Sequence, residues 1–397
     1  MTAAPPPAPD PRLMRRFPLF SDMAPVAGRR MPKRLGDYYL GGADSEVGLG
    51  ENAAAFDRIR LVPRYGLDVT QRSTGVTLFG RGYAAPIGVA PVGYASALWP
   101  GSERALAAAA QRHNLPFILS TYSIETLESI IRLAPDVAWF QLYAYKSRDC
   151  TLDLVRRAAA AGYRVLVVTL DIPVYSKRTR DHRNALVFPP DINLELLWEL
   201  ARAPVWTLRS LFRPYPLPGN LMRYATPGQS RDAAVREVLA RNSTYALTWE
   251  QLAELRGLWP GKLVLKGLQH PEDALRALAL GADGIIVSNH GGRQLDAAPA
   301  AIDSLPAIAE AVGSRLTVML DSGVRSGLDV VKACIRGAVC SFAGRAFLGA
   351  CGALGNAGAE HAMRLFQSEI SVALGQLGLM SPEAARGHRE IEADPQV

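Results

Sequence analysis

Eight repeats of one pattern, a short apolar run followed in most cases by a longer segment with helical periodicity, occupy residues 86–343. Apolar runs this short suit strands that are buried on both faces, and their alternation with helices is typical of a parallel sheet. The strand candidates are residues 86–90, 117–119, 138–142, 164–169, 262–266, 284–288, 317–320 and 339–343. The helix candidates are residues 102–112, 124–133, 149–161, 271–280, 302–311 and 327–335. Eight strands, most of them followed by a helix, predict an α/β fold of the (β/α)8 TIM barrel type.

An open, doubly wound sheet is the rival architecture, but the Gly-x-Gly-x-x-Gly turn that would follow its first strand is missing. Two regions lie outside the repeat: an amino-terminal extension over 1–84, which we expect to be partly helical, and a long connection over 170–261 after the fourth strand. We therefore predict a disordered or extended tail over 1–30, one domain over 31–388, and an insertion in that domain over about 185–247.

Composition and charge exclude several classes of protein. Hydrophobic residues make up 49% of the 397 residues and charged residues 20%, as in ordinary globular enzymes. The net charge of +7 is either a solvated basic surface or an attraction to an anionic substrate, cofactor or membrane face. Without a dense basic stripe or a nucleic-acid-binding motif, we expect no nucleic-acid partner. Four cysteines without a Cys-x-x-Cys pair indicate a reducing compartment, and we find neither a signal peptide nor an apolar stretch of bilayer length.

Polar, cationic or glycine residues follow nearly every predicted strand at its carboxyl end. Barrel enzymes place their chemistry at this end, and a purely structural barrel would not need such residues at all eight positions. The strand ends are Pro91-Val92-Gly93, Ser120-Thr121-Tyr122, Gln141-Leu142-Tyr143, Thr169-Leu170-Asp171, Lys266, residues 288–293, residues 321–325 and Gly344-Arg345. We therefore predict an active site at this face.

His290 and Arg293 stand at the end of the sixth strand with two glycines between them. A neutral imidazole can take a proton, and a guanidinium can bind a carboxylate through two hydrogen bonds. Asp171, at the end of the fourth strand, could orient the imidazole and stabilise its protonated form. The alternatives are a structural core histidine and a surface ion pair for the arginine. The combination favours oxidation of a small acid that carries a hydroxyl on the carbon next to its carboxylate.

Cations at three further strand ends predict a phosphorylated cofactor. Lys266 ends a buried strand, where its ammonium needs either a partner carboxylate or the electron-rich edge of a flavin. The loops after the seventh and eighth strands of such barrels commonly hold a phosphate, and here they contain Asp-Ser-Gly-Val-Arg at 321–325 and Gly-Arg at 344–345.

These residues together resemble the FMN-dependent α-hydroxy-acid dehydrogenase and oxidase family, and most of all its membrane-associated L-lactate and mandelate dehydrogenases. The likeness runs from about residue 33 to 388, and Ser-Asn-His-Gly-Gly-Arg-Gln at 288–294 is similar to the family's active-site signature. The resemblance implies that His290 abstracts a proton with the support of Asp171. It further implies that the substrate is bound by Arg293 and by Tyr38, Tyr143, Arg178 and Tyr122.

The cofactor that the resemblance implies is FMN, and we predict no metal site. The flavin ring and ribityl chain are expected to contact Pro91, Val92, Gly93, Ser120, Gln141, Thr169, Lys266 and Ser288. The ribityl and phosphate end is expected to contact Asp321, Gly323, Arg325, Gly344 and Arg345. Tyr122 departs from the family pattern, because the plant glycolate oxidase has a tryptophan there.

The activity that the resemblance implies is FMN-dependent oxidation of an L-2-hydroxy acid, similar to lactate or mandelate, to the 2-oxo acid. Electrons would pass to a quinone or to another acceptor that is not oxygen. An oxidase that reduces dioxygen to hydrogen peroxide is the alternative, and Gly93 favours the dehydrogenase because oxidases often carry alanine there. A flavin-dependent isomerase and a non-enzymatic flavin-binding protein are further alternatives. The sequence does not specify the side chain of the acid.

The insertion carries aromatic and aliphatic residues among arginines over 205–223, and it looks like the insertion of the membrane-associated members. A lid that packs on a neighbouring subunit is the other interpretation. We expect a cytoplasmic homo-oligomer, a tetramer, and leave open a peripheral contact with the inner face of the cell membrane.

Overall fold

The computed structural model describes residues 8–187, 190–211, 217–241 and 246–392. The amino-terminal extension contains four helices, one short strand and a hairpin. These elements are α1 (Pro11–Arg16), α2 (Phe20–Arg30), α3 (Lys33–Leu40), α4 (Val47–Arg58), β1 (Ile59–Leu61), β2 (Val76–Leu78) and β3 (Arg81–Tyr83).

Eight parallel strands form a closed barrel and follow one another around it in chain order. They are β4 (Ile87–Val89), β5 (Phe117–Leu119), β6 (Ala138–Leu142), β7 (Val165–Thr169), β8 (Lys262–Leu268), β9 (Gly284–Val287), β10 (Thr317–Leu320) and β11 (Cys340–Ala343). Every strand lies within two residues of its predicted bounds. Nearly every residue in these strands is buried, which is why the sequence shows continuous apolar runs instead of alternation. The predicted TIM barrel is confirmed.

Helices surround the barrel, and a last short strand, β12 (Glu390–Glu392), pairs antiparallel with β1. The helices that follow the first four barrel strands are α5 (Ala95–Leu98), α6 (Ser102–His113), α7 (Leu127–Leu133), α8 (Arg148–Ala161) and α9 (Thr179–Arg183). Within the long connection lie α10 (Leu194–Arg202), α11 (Pro204–Leu211), α12 (Arg231–Arg241) and α13 (Trp249–Leu258). The remaining helices are α14 (Pro271–Ala279), α15 (Ala301–Val312), α16 (Gly327–Ile335), α17 (Arg345–Leu354) and α18 (Asn356–Gln376).

The segment 8–30 is helical and partly buried, in place of the disordered or extended tail that we expected; residues 1–7 lie outside the described residues. Phe20, Met23 and Ala27 project from one face of α2 into the core and are at most 5% exposed. Helix α17 approaches this face closely, because a Cβ at Gly352 would lie 2.7 Å from the Cβ of Ala27. The amino-terminal segment therefore covers the outside of the barrel beside β11.

The predicted insertion, of which residues 188–189, 212–216 and 242–245 lie outside the described part, contains both anchored and exposed segments. Asn220 is fully buried: its side-chain amide donates to the carbonyls of Ser120 and Thr121, and its Oδ1 accepts from the amide of Leu127 at 2.7 Å. By contrast, α10 and α11 expose several apolar side chains. The connection is thus fixed near residue 220 and presents an apolar surface over 192–211.

Candidate active site

A cavity of about 400 Å³ opens at the carboxyl end of the barrel strands, where the site was predicted. Most of the predicted site residues line it, and Ser120, Gln141, Thr169, Asp171 and Ser288 lie directly behind them. The lining residues that we predicted are Tyr38, Pro91, Val92, Gly93, Tyr122, Tyr143, Arg178, Lys266, His290, Arg293, Asp321, Gly323, Arg325, Gly344 and Arg345.

His290 and Asp171 form a hydrogen-bonded pair across the cavity wall. Nδ1 of His290 lies 2.8 Å from Oδ1 of Asp171, and both side chains are largely buried. Burial raises the pKa of Asp171, but the His290 ring and the Lys266 ammonium outweigh it and hold the pKa below its ordinary value. The carboxylate is therefore ionised and accepts the Nδ1 proton. Nε2 is left as an acceptor that faces the cavity, 3.4 Å from the hydroxyl oxygen of Tyr143.

The pKa of His290 lies below its ordinary value of 6.5, because burial disfavours the imidazolium more than the Asp171 carboxylate favours it. The imidazole is consequently neutral near pH 7 and can accept a proton. When it does, the carboxylate at Nδ1 stabilises the charge that develops on the ring.

Backbone geometry at His290 and at Gly267 allows the hydrogen bond between His290 and Asp171. His290 has a φ of +57°, which is uncommon for a residue other than glycine and is the kind of strain found at functional sites. Its amide donates to Oγ of Ser288 at 3.0 Å, which holds that conformation. Gly267 follows Lys266 with a φ of +100°, and a Cβ there would lie 2.6 Å from the Cβ of Asp171. Only glycine leaves room for the carboxylate at this point.

Arg293 lines the cavity, and backbone carbonyls hold one side of its guanidinium. Nη1 donates to the carbonyls of Tyr38 at 2.7 Å and Gly41 at 2.9 Å, and Cζ lies 4.6 Å from the centre of the Tyr38 ring. Nη2 is buried and has no hydrogen-bond partner among the described residues. Burial, and next the charge of Arg178, lower the pKa of Arg293. A buried donor beside a second cation is suited to a ligand carboxylate.

A buried ion pair, Lys266 with Asp321, also lines the cavity. Lys266, only 3% exposed, donates to Oγ of Ser288 at 2.8 Å and forms a 3.0 Å ion pair with Asp321. The partner carboxylate that we considered for this lysine is therefore present. Burial lowers its pKa, but Asp321 and Asp171 raise it further, so the ammonium remains charged. In the strand register Thr169 lies opposite Lys266. The side-chain amide of Gln141 donates to the hydroxyl of Thr169 at 2.9 Å.

Comparison with known proteins identifies the family. The model of the FMN-dependent dehydrogenase family matches residues 27–390. The chain belongs to this family. It is 38% identical to an L-lactate dehydrogenase of Pseudomonas syringae over 365 residues, which are 91% of this chain and 95% of the relative. It is 39% identical to an L-lactate oxidase of Nostoc sp. over 346 residues (86% and 89%), and 36% identical to an (S)-mandelate dehydrogenase of Pseudomonas putida over 358 residues (90% and 89%).

Solved structures are similar to this chain over nearly its whole length. The crystal structure of a monotopic membrane protein, (S)-mandelate dehydrogenase, superposes with a TM-score of 0.89 at 34% identity and covers 94% of this chain and 99% of its own. A mandelate oxidase with (S)-4-hydroxymandelic acid superposes with a TM-score of 0.82 at 34% identity, covering 95% and 99%. These two solved structures therefore share the fold of this chain.

The residues present fit FMN, the cofactor of the FMN-dependent dehydrogenases. Lys266 lines the cavity and could place its ammonium at the electron-rich edge of a flavin, and residues 91–93 line the same cavity, where a flat ring could lie. Arg325 also lines the cavity, from the loop after β10, where such barrels bind phosphate. These groups would hold the ring and the phosphate of the cofactor, respectively.

The guanidinium of Arg345 has partners that we did not anticipate. It donates to the backbone carbonyls of Tyr39 at 3.1 Å, Gly41 at 2.7 Å and Gly291 at 2.9 Å. Burial, followed by the charges of Arg293 and Arg325, lowers its pKa to about 9. Arg345 therefore joins the end of α3 to the loop over 288–294, which contains His290 and Arg293. Arg325, in the loop after β10, is exposed.

Several cavity residues escaped the sequence analysis. Tyr94 stacks on Tyr122 with ring centres 5.9 Å apart, and Tyr122 in turn lies 5.5 Å from Tyr143. Tyr175, in the loop after β7, and Asp181, in α9, also line the cavity. Burial raises the pKa of Asp181 although Arg293 and Arg178 lower it. Their position after Asp171 and around Arg178 was the available signal, because loops after barrel strands form the site.

Proposed function

We propose that the protein oxidises an L-2-hydroxy acid, similar to lactate or mandelate, to the 2-oxo acid with FMN as cofactor. The observation that carries the proposal is the meeting of two chemical functions in one cavity. His290 beside Asp171 can take a proton, and the unpartnered Nη2 of Arg293 can bind a carboxylate. A 2-hydroxy acid supplies both groups on adjacent carbons. The relatives named L-lactate dehydrogenase and (S)-mandelate dehydrogenase support this substrate class.

Each residue has a distinct part in the proposed reaction. Arg293 and Arg178 bind the substrate carboxylate, and the hydroxyls of Tyr38 and Tyr143 orient the substrate beside His290. Oxidation to the 2-oxo acid removes two electrons and two protons, and Nε2 of His290 accepts one of these protons. FMN, when bound, would take up the two electrons and the other proton. The barrel wall and the buried tyrosines exclude water from the proton transfer, which strengthens the interactions of the charged groups.

Anaerobic flavin bleaching tests the proposal. We expect an L-2-hydroxy acid from a panel of glycolate, lactate, mandelate and long-chain acids to reduce the bound flavin rapidly, and its D enantiomer to do so at least about a hundredfold more slowly, because only one enantiomer places its hydroxyl at His290. If no member of the panel bleaches the flavin of the holoenzyme, the proposed function is wrong.

We propose a quinone or another acceptor than oxygen for the reoxidation of the enzyme. The similarity to both dehydrogenases and an oxidase leaves dioxygen as the alternative acceptor. After anaerobic reduction, a short-chain ubiquinone should restore the oxidised spectrum faster than air-saturated buffer does. Hydrogen peroxide equal to the acid consumed during aerobic turnover would instead identify an oxidase.

We propose that the insertion contacts a membrane surface. The apolar surface consists of Ile192, Leu194, Leu197, Trp198, Val205, Leu208 and Leu211, each between 44% and 85% exposed. Cationic side chains stand beside it: the guanidinium of Arg202 lies 6.0 Å from the ring of Trp198. Apolar and basic residues side by side are what binding at an anionic lipid surface requires. No helix in the described ranges is long and apolar enough to cross a bilayer. The similarity to a monotopic membrane protein supports a peripheral contact.

We further propose that the protein is a homotetramer, which analytical ultracentrifugation would test.

Two surface substitutions test the membrane contact. Leu197→Ser together with Leu208→Ser should weaken binding to phosphatidylglycerol-containing vesicles about thirtyfold or more, because about 1–2 kcal/mol of apolar burial is lost at each site. Leu275→Ser, at a similarly exposed leucine on α14, is the matched control and should bind vesicles like the wild type. Cosedimentation measures both. Equal binding of the double variant and the control would contradict the proposed surface.

A further inference from the structure

A buried ion pair connects the insertion to the helix that carries Tyr38. Arg34 on α3 and Glu199 on α10 are 5% and 7% exposed. Both the amide nitrogen and Nε of Arg34 donate to Oε2 of Glu199, each at 3.2 Å. The insertion, which exposes an apolar surface on its other side, is therefore joined by a charged contact to the amino-terminal extension.

The carboxylate of Glu199 caps helix α3 from outside. Pro32 precedes the helix and supplies no capping side chain. Its carbonyl accepts from the amides of Leu35 and Gly36, whereas the earlier amide of Arg34 finds its acceptor outside the segment. Oε2 of Glu199 is that acceptor. Oε1 is buried without a hydrogen-bond partner among the described residues. A buried pair that is incompletely satisfied adds little to stability, so placement of the helix is the better account of this contact.

Helix α3 extends from this cap to the substrate site within eight residues. Tyr38 lies in its last turn, with its carbonyl accepting the Nη1 donor of Arg293 at 2.7 Å and its ring 4.6 Å from the guanidinium carbon. A displacement of α3 therefore moves the carbonyl that holds Arg293 and the ring that packs on it. The group that binds the substrate carboxylate is the one affected.

From these contacts we infer that Glu199 is a positioning residue for the substrate site. Through the cap on α3 it holds Tyr38 and Arg293 in the geometry that binds the acid. Helix α10 of the insertion accordingly supports substrate binding in addition to presenting its apolar surface. This inference rests on the proposed function, because it assigns Tyr38 and Arg293 to the substrate.

Substitutions of Glu199 test the inference in the FMN-loaded enzyme. Glu199→Leu removes the acceptor and should raise KM for the hydroxy acid about fivefold, the effect expected for loss of one helix cap, with kcat within about twofold. Glu199→Gln keeps an acceptor for the amide and should restore most of the affinity. The dissociation constant of the 2-oxo acid, measured by calorimetry in the absence of an electron acceptor, should rise in parallel with KM. The affinity for FMN should not change. Glu195→Leu, at an exposed glutamate of the same helix, should match the wild type.

Folding and catalysis can be separated in this experiment. If Glu199→Leu does not fold, the double variant Arg34→Met with Glu199→Leu leaves no buried charge unpaired, and the same rise in KM is expected for it. A KM within about twofold of the wild type in either folded variant would overturn the inference. Failure of the proposed function gives a different result, because the wild-type flavin would then be bleached by none of the acids.

Discussion

A His290→Gln enzyme is expected to keep its FMN and to lose substrate-dependent flavin reduction by a factor of about 10³ to 10⁴, at the upper end of what a general base contributes. Glutamine can still accept a hydrogen bond, but it cannot take up the proton that the hydroxy acid loses. The pair with Asp171, 2.8 Å from Nδ1, has no function without the imidazole. Anaerobic stopped-flow measurement of flavin bleaching gives the rate constant directly.

The same measurement includes its own controls. Bound flavin per protein should be unchanged in His290→Gln, because Lys266 and Ser288 are untouched. His182→Gln, at an exposed histidine on α9, should reduce the flavin at the wild-type rate. A His290→Gln enzyme that still bleaches within tenfold of the wild-type rate would exclude this histidine as the base.

In the wild type, the rate of flavin reduction should fall as pH is lowered through the pKa of His290, which lies below 6.5. The reason is that the imidazolium has no lone pair for the substrate proton.

The barrel could be predicted from the sequence because each buried parallel strand is a short apolar run. The ends of individual elements were less certain. Helix α7 begins at Leu127, three residues after the predicted start, because Oγ1 of Thr126 accepts the amide of Ser129 and caps the helix there. The helical character of 8–30 was missed although Phe20, Met23 and Ala27 follow helical spacing, because the proline- and alanine-rich start suggested disorder.

Features that depend on contacts between distant segments could not be predicted in this way. The guanidinium of Arg345 reaches carbonyls at Tyr39, Gly41 and Gly291, and nothing in the local sequence of β11 indicates those partners. Similarly, the apolar residues over 205–223 were expected to form one surface, yet Leu221 is completely buried. Deletion of that whole segment would also remove Asn220 from beneath Ser120. Point substitutions on α10 and α11 are therefore the better test of membrane contact.

Replacing Arg293 with lysine should lower kcat/KM for the hydroxy acid about a hundredfold, mainly through KM. A lysine keeps the positive charge, but it has no planar fork, so it cannot donate to the carbonyls of Tyr38 and Gly41 and to a substrate carboxylate at the same time. Loss of a charge-assisted hydrogen bond in a buried site costs about 2–3 kcal/mol, which corresponds to this factor. Because the carboxylate is bound equally in the ground state and the transition state, kcat should change less than KM.

Arg183→Lys provides the matched control, since Arg183 is an exposed arginine in α9, and its kcat/KM should equal that of the wild type. A second control is the substrate. An amide analogue of the hydroxy acid, which has no carboxylate to bind, should be a poor substrate for both the wild type and Arg293→Lys, so that the difference between the two enzymes largely disappears. If Arg293→Lys instead discriminates against the amide as strongly as the wild type does, the carboxylate is bound elsewhere, and Arg178 becomes the residue that recognises it.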